Sequence, residues 1–91
     1  MTIKVIVENS FLAGLKKLPP DRQKALRNAL EKFMSAPDLP RLRFRSLGGA
    51  SGYFIINGAH GDRIILRRDA DETYADVDAG PHDNVYRRWN R

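Results

Sequence analysis

Three side chains in the last third of the chain could act together on a phosphodiester. Arg63 opens the run Arg63-Ile64-Ile65-Leu66-Arg67, His82 follows Gly80-Pro81, and Tyr86 comes four residues after His82. On a helix that spacing places His82 and Tyr86 on one face. A guanidinium offers phosphate a fixed fork of donors. An imidazole carries a proton near neutral pH. A tyrosine ring stacks on a base or shares in proton transfer. Each also has an ordinary structural reading: a turn histidine bonded to backbone, a core aromatic, a surface cation.

A second group is the row Arg41-Leu42-Arg43-Phe44-Arg45, which alternates strictly. Extended, it places all three arginines on one face and Leu42 and Phe44 on the other. Alternate residues of a strand lie about 6.6–6.8 Å apart. That is close to the phosphate spacing of an extended single nucleic-acid strand, about 6–7 Å, so the row could track a backbone. The alternative is a solvated edge whose charge deters aggregation.

The elements that must position these residues belong to a chain of 91 residues, the length of one domain spanning residues 1–91. With 42% apolar and 30% charged residues it reads as globular and soluble. No apolar run approaches the roughly 18 residues of a membrane span, and the N-terminus lacks the apolar core of a signal peptide. Cysteine is absent, which removes disulfides, thiol catalysis and zinc–thiolate sites. A cytoplasmic protein without membrane attachment is expected. The net charge of +5 is uneven: +4 over residues 1–36, +2 over 37–52 and −1 over 53–91. Basic charge of this kind attracts polyanions, including nucleic acid, ribosome and acidic protein segments.

Residues 2–8 read as a strand in which Ile3, Val5 and Val7 alternate with polar residues and Ile6 points to burial on both faces. Asn9 or Ser10 can cap a helix carrying Phe11, Leu12, Leu15 and Leu18. Gly14 weakens that helix by about 1 kcal/mol relative to Ala unless close packing requires it. Pro20 and Asp21 suit the first turn of a second helix. Its apolar stripe runs Ala25/Leu26, Ala29/Leu30, Phe33/Met34 and stops before Pro37. Residues 37–52 form a connector. Strands follow at 53–56, 63–67 and 73–78, with a hairpin loop at 57–61 and a turn at 69–72. Gly80-Pro81 ends the last strand, and 83–90 suits a short terminal helix bearing Val85, Tyr86 and Trp89. The fold class is α+β, ordered β-α-α-β-β-β: an antiparallel sheet with an N-terminal αα-hairpin on one face and a short C-terminal helix.

This order, together with Phe11-Leu12-Ala13-Gly14-Leu15-Lys16-Lys17-Leu18-Pro19, Leu47-Gly48-Gly49, the Tyr53 strand, Gly61-Asp62-Arg63-Ile64-Ile65-Leu66 and Gly80-Pro81-His82-Asp83-Asn84-Val85-Tyr86, resembles the RelE/ParE superfamily of toxins from type II toxin–antitoxin pairs. The resemblance covers about residues 2–89. It implies a metal-independent, cofactor-free endoribonuclease that cleaves mRNA on the ribosome and so inhibits translation. A ribose 2′-OH would attack the adjacent phosphate. Arg63 would stabilise that phosphate, His82 would act as general acid or base, and Tyr86 would stack on or orient a base. Arg41, Arg43, Arg45 and Arg67 would bind RNA. Phe54 and Ile56 stand where RelE carries basic residues. The alternatives implied are a ParE-like toxin that binds DNA gyrase without catalysis, or a silent binding module. A cognate antitoxin is the implied partner, with Lys16, Lys17, Arg22, Lys24 and Arg27 open to an acidic chain, and operator DNA reached only through the antitoxin complex.

Overall fold

A computed structural model describes residues 3–89; the expected start of the first strand at Thr2 and the end of the last helix at Asn90 lie outside the described residues. The chain runs β1 (Lys4–Val7), α1 (Asn9–Lys16), α2 (Pro20–Ser35), a 3₁₀ turn (Pro40–Leu42), β2 (Arg45–Ser46), β3 (Tyr53–Asn57), a 3₁₀ turn (Ala59–Gly61), β4 (Asp62–Ala70), β5 (Thr73–Pro81) and α3 (His82–Trp89). Among the described residues no helix is long and apolar enough to cross a membrane.

The sheet order is β1-β5-β4-β3-β2. β3 to β5 form the expected antiparallel meander and β2 adds a further antiparallel strand from the connector, whereas β1 lies parallel to β5, with Lys4 opposite Thr73 and Val7 opposite Asp76. The sheet is therefore mixed rather than antiparallel. The two-helix connection carries the chain from β1 across a face of the sheet to β2 at the far edge, and the antiparallel succession back to β5 then ends beside β1 in the parallel sense.

Strand alternation divides the apolar residues between two cores. Ile56, Ile64, Leu66 and Tyr74 face Phe11, Leu15, Leu26, Leu30 and Phe33 of α1 and α2. Ile55, Ile65, Ala75 and Val77 face Val85 of α3, with Tyr53, Tyr86 and Trp89 at its margin. Phe54 belongs to the first core, where Phe33, Phe44, Phe54 and Tyr74 stack with ring centroids 5.0–6.0 Å apart.

Gly14 is explained by close approach. A Cβ at that position would lie 2.3 Å from the Ala79 carbonyl oxygen, so α1 can rest on β5 only with glycine there. Opposite the Ile65–Leu66 step of β4, β5 carries one extra residue: Ile65 pairs with Asp78 but Leu66 pairs with Asp76. This bulge at Val77 shifts the alternation, so that Val77 and Asp78 both serve the α3 face.

Three expectations need correction. The row 41–45 is not extended: Pro40–Leu42 is a 3₁₀ turn and Arg43 is left-handed, with φ 48 and ψ 50. Pro40 starts the turn, and only Arg45 joins a strand. Leu42 and Phe44 do enter the core, but the three arginines do not share one face. Ile6, expected to be buried, is 44% exposed, because α3 packs over β4 and β5 and leaves that side of the edge strand open. β5 continues through Gly80-Pro81, and α3 starts directly at His82.

Candidate functional site

One end of the α3 face gathers most of the residues singled out for chemistry. Arg45 on β2 pairs with Ile55, whose side chain lies on that face, and Asn57 is two residues further along β3. Arg63 stands directly across from Asn57 on one side and Gly80 on the other. Ile65 places Arg63 on the same face by alternation. The first turn of α3 adds His82, and its second turn adds Tyr86.

Polar contacts join these groups. Arg45 donates from Nη2 to Tyr86 Oη at 3.3 Å and from Nη1 to Asn57 Oδ1 at 3.2 Å. The His82 and Tyr86 rings meet edge to face with centroids 4.4 Å apart. His82 Nδ1 lies 3.0 Å from the carboxylate of Asp83, an exposed pair. Arg63 donates from Nη1 to the Asp62 carbonyl at 3.0 Å, and its buried Nε has no partner. Among the described residues neither Arg45 nor Arg63 forms an ion pair, whereas Arg67, Arg68 and Arg88 each bind an aspartate. Two uncompensated guanidiniums, an imidazole and a phenol thus share one rim of the sheet.

α3 is held to the sheet by Asp78. Its carboxylate accepts from Arg88 Nε at 2.8 Å, Arg88 Nη2 at 3.0 Å, Trp89 Nε1 at 2.8 Å and the Ala79 N–H at 2.9 Å. The β5 bulge aims this carboxylate at α3, and so fixes where His82 and Tyr86 stand.

The remaining expected contacts lie elsewhere. Arg67 shares the face but sits four residues along β4, opposite Tyr53 and Ala75. It is bound by Asp69 at 2.7 Å and Glu8 at 3.2 Å. The Asp69 hydrogen bond holds this guanidinium more firmly charged than usual and lowers the Asp69 carboxyl in turn. Arg41 and Arg43 are exposed on the connector, and neither side chain has a hydrogen bond to the rim residues among the described residues. Arg22 is not free for a partner: it grips fully buried Asp62, with Nε 3.0 Å from Oδ2, and ties α2 to β4. Phe54 and Ile56 face the α1/α2 core, so the β3 residues on the α3 face are Tyr53, Ile55 and Asn57, with Asn57 at the rim. Asn57 was missed in the sequence because it reads as loop. Strand parity counted from Tyr53 would have placed it beside Arg63.

A cleft of about 620 Å³ runs along β5 between α1 and α3, lined by Gly14, Lys17, Asp78 and Arg88 among others. Arg45, Arg63, His82 and Tyr86 do not line it. At their rim His82 is exposed, whereas Arg45, Arg63 and Tyr86 are half-buried.

No family model matches the chain, and no curated protein sequence does. Solved structures match its fold throughout, and that fold is RelE/ParE-like. An arginine-to-alanine double mutant of the E. coli toxin RelE in the free state superposes with a TM-score of 0.71 at 17% identity, covering 99% of this chain and 96% of that one. The toxin–antitoxin complex RelBE2 from Mycobacterium tuberculosis gives 0.72 at 20% identity over 89% of this chain and 99% of that one. The YoeB/ParE toxin from Agrobacterium tumefaciens gives 0.68 at 12% identity, with 88% and 99% covered.

Proposed function

We propose that this chain is the toxin of a type II toxin–antitoxin pair and that it cleaves mRNA on the ribosome. One observation carries the reading: Arg45 and Arg63, which among the described residues have no carboxylate partner while Arg67 and Arg68 each have one, stand on one rim with His82 and Tyr86. In the proposed reaction a ribose 2′-oxygen attacks the adjacent phosphorus while its proton passes to a base. The bond from phosphorus to the 5′-oxygen breaks, and that oxygen takes up a proton. The products carry a 2′,3′-cyclic phosphate and a 5′-OH. Arg63 and Arg45 meet the charge that grows on the phosphoryl oxygens. His82 moves a proton at its ring nitrogen, and Tyr86 orients a base by stacking. The antitoxin reading draws support from neighbours that are themselves antitoxin–toxin complexes, among them RelB–RelE from Methanococcus jannaschii.

The test is single-turnover cleavage of mRNA on programmed ribosomes. Arg63→Ala is expected to slow cleavage by about 30-fold to several-thousand-fold, the range for losing a charge-assisted contact. His82→Gln is expected to cost about 10²–10⁴-fold. Full cleavage by Arg63→Ala at unchanged folding removes Arg63 from the site, and a folded wild-type chain that leaves mRNA intact removes the nuclease reading. The second reading, a toxin that binds DNA gyrase, is kept by the likeness to the YoeB/ParE toxin. Induced expression separates the two: new mRNA 5′ ends support cleavage, whereas DNA damage with intact mRNA supports gyrase.

A further inference from the structure

The three large apolar side chains most exposed among the described residues are Ile6 at 44%, Val7 at 51% and Leu12 at 40%. All three belong to the β1 edge and the first turn of α1, and the site described above uses none of them. β1 is the outermost strand on its side of the sheet.

The hydrogen bonds of β1 determine which backbone groups remain open. Lys4 and Glu8 donate to the carbonyls of Glu72 and Asp76, so the even-numbered residues turn toward β5. Val5 and Val7 therefore turn their N–H and C=O groups to the open side. Ile3, next in that series, is already spent: its N–H donates to the Met34 carbonyl at 2.9 Å. After Glu8 the chain enters α1 at Asn9, which ends the edge.

We propose that a second copy of this chain pairs antiparallel with this edge, about a twofold axis at Ile6. In an antiparallel ladder, residues that exchange both hydrogen bonds stand directly opposite. An axis at Ile6 sets Val5 against Val7 of the partner copy and Val7 against its Val5, so every open group is used. An axis at Val5 brings the engaged Ile3 into the ladder, and an axis at Val7 brings in helical Asn9. The register at Ile6 also sets Lys4 opposite Glu8 in both directions. Arg67 holds Oε2 of Glu8, and Oε1 is left for Lys4. Ile6 meets its own symmetry mate, and one apolar, two-charge edge becomes complementary to itself. The product is a continuous sheet across two copies.

Sedimentation velocity of the purified chain across a wide concentration range tests this, with circular dichroism to confirm folding. A concentration-dependent dimer is expected, with amide exchange at Val5 and Val7 slowing as it forms. Lys4→Glu should weaken association by about tenfold, and adding Glu8→Lys should restore it. Ile6→Lys changes an exposed position and should leave a folded monomer. A wild-type chain that stays monomeric at every concentration overturns the proposal. So does a dimer that survives Ile6→Lys, or one in which Val5 and Val7 exchange as fast as in the monomer.

Discussion

Asn57 acts at the rim by being an amide. Its oxygen accepts from Arg45 without neutralising it, and Arg45 in turn supports the Tyr86 hydroxyl. Asn57→Asp would give Arg45 the carboxylate partner that it otherwise lacks among the described residues. Expected is RNA binding weakened by about tenfold or more, since an ion pair competes directly for the phosphate contact, with little change in melting temperature. Equilibrium titration with an RNA oligonucleotide checks it. Tyr86→Phe removes one acceptor and keeps the ring, so its effect should be smaller than that of Tyr86→Ala, which also loses stacking worth about 1–3 kcal/mol. A second residue-scale prediction concerns Asp76. It is fully buried, its Oδ2 has no partner, and Oδ1 accepts from the Glu8 N–H at 3.2 Å. Burial pushes its carboxyl up to about 7, against the pull of the backbone donors, and the Glu8 carboxylate adds to the rise. The folded chain thus holds this proton more tightly than the unfolded chain, whose carboxyl keeps the ordinary value near 3.8. The stability it contributes is fully present below the unfolded value and is lost as pH rises through the folded one. Wild type should melt progressively lower from about pH 4 to about pH 7. In Asp76→Asn that part of the decline should disappear, as thermal melts at stepped pH would show.

Elements in this fold are fastened by single residues that sequence patterns describe poorly. Gly14→Ala would raise helix propensity by about 1 kcal/mol in an isolated helix. Here the added methyl meets the Ala79 carbonyl, so a net loss of about 1–3 kcal/mol is expected, measured by urea unfolding. Asp78→Ala leaves Arg88 and Trp89 without their common acceptor. A stability loss of about 1–3 kcal/mol is expected, and cleavage should fall further than stability explains, because His82 and Tyr86 ride on α3. The order of elements, the amphipathic stripe of α2 and the meander were legible because each is written in local periodicity. The short strand at Arg45–Ser46 was not, since two residues hold no period. Nor was the turn at Pro40–Leu42: alternation of Arg and apolar residues also arises when a coiled connector dips Leu42 and Phe44 into a core. Arg63, His82 and Tyr86 were recognisable by type and spacing. Arg45 was found for the wrong reason, as part of a row, and Asn57 needed the register of β3.

At the scale of the whole molecule, the sheet separates two kinds of charge use. On the C-terminal strands and α3 the aspartates orient arginines: Asp62 holds Arg22, Asp69 holds Arg67, Asp71 holds Arg68 and Asp78 holds Arg88. The acids of this segment of net −1 are thus largely spent on internal partners, and the proposed RNA rim is bordered by few free ones. The exposed cations of the helical hairpin, Lys16, Lys17, Lys24 and Arg27, sit on elements that pack on the face opposite α3. RNA bound at the rim should therefore report few of them. Replacing Arg45 and Arg63 with Gln should lower the salt slope of RNA binding by about 1.4, at about 0.7 per single-strand phosphate. Replacing Lys16, Lys17, Lys24 and Arg27 should leave it nearly unchanged. Filter binding at stepped salt distinguishes the two sets.

The parallel pairing of β1 with β5 also dictates an order of events during synthesis. β1 leaves the ribosome well before β5 yet can be seated only after it, because the contact between Glu8 and Asp76 closes a separation of 68 residues. The α1–α2 hairpin and the β3–β4 hairpin are local and can form early, whereas the long closure is slow and comes late. Until Thr73 onward emerges, Val5, Ile6 and Val7 have no strand to join. A chain interrupted before that point carries its stickiest segment unprotected, and belongs to the proteases and chaperones rather than to the pool of working protein.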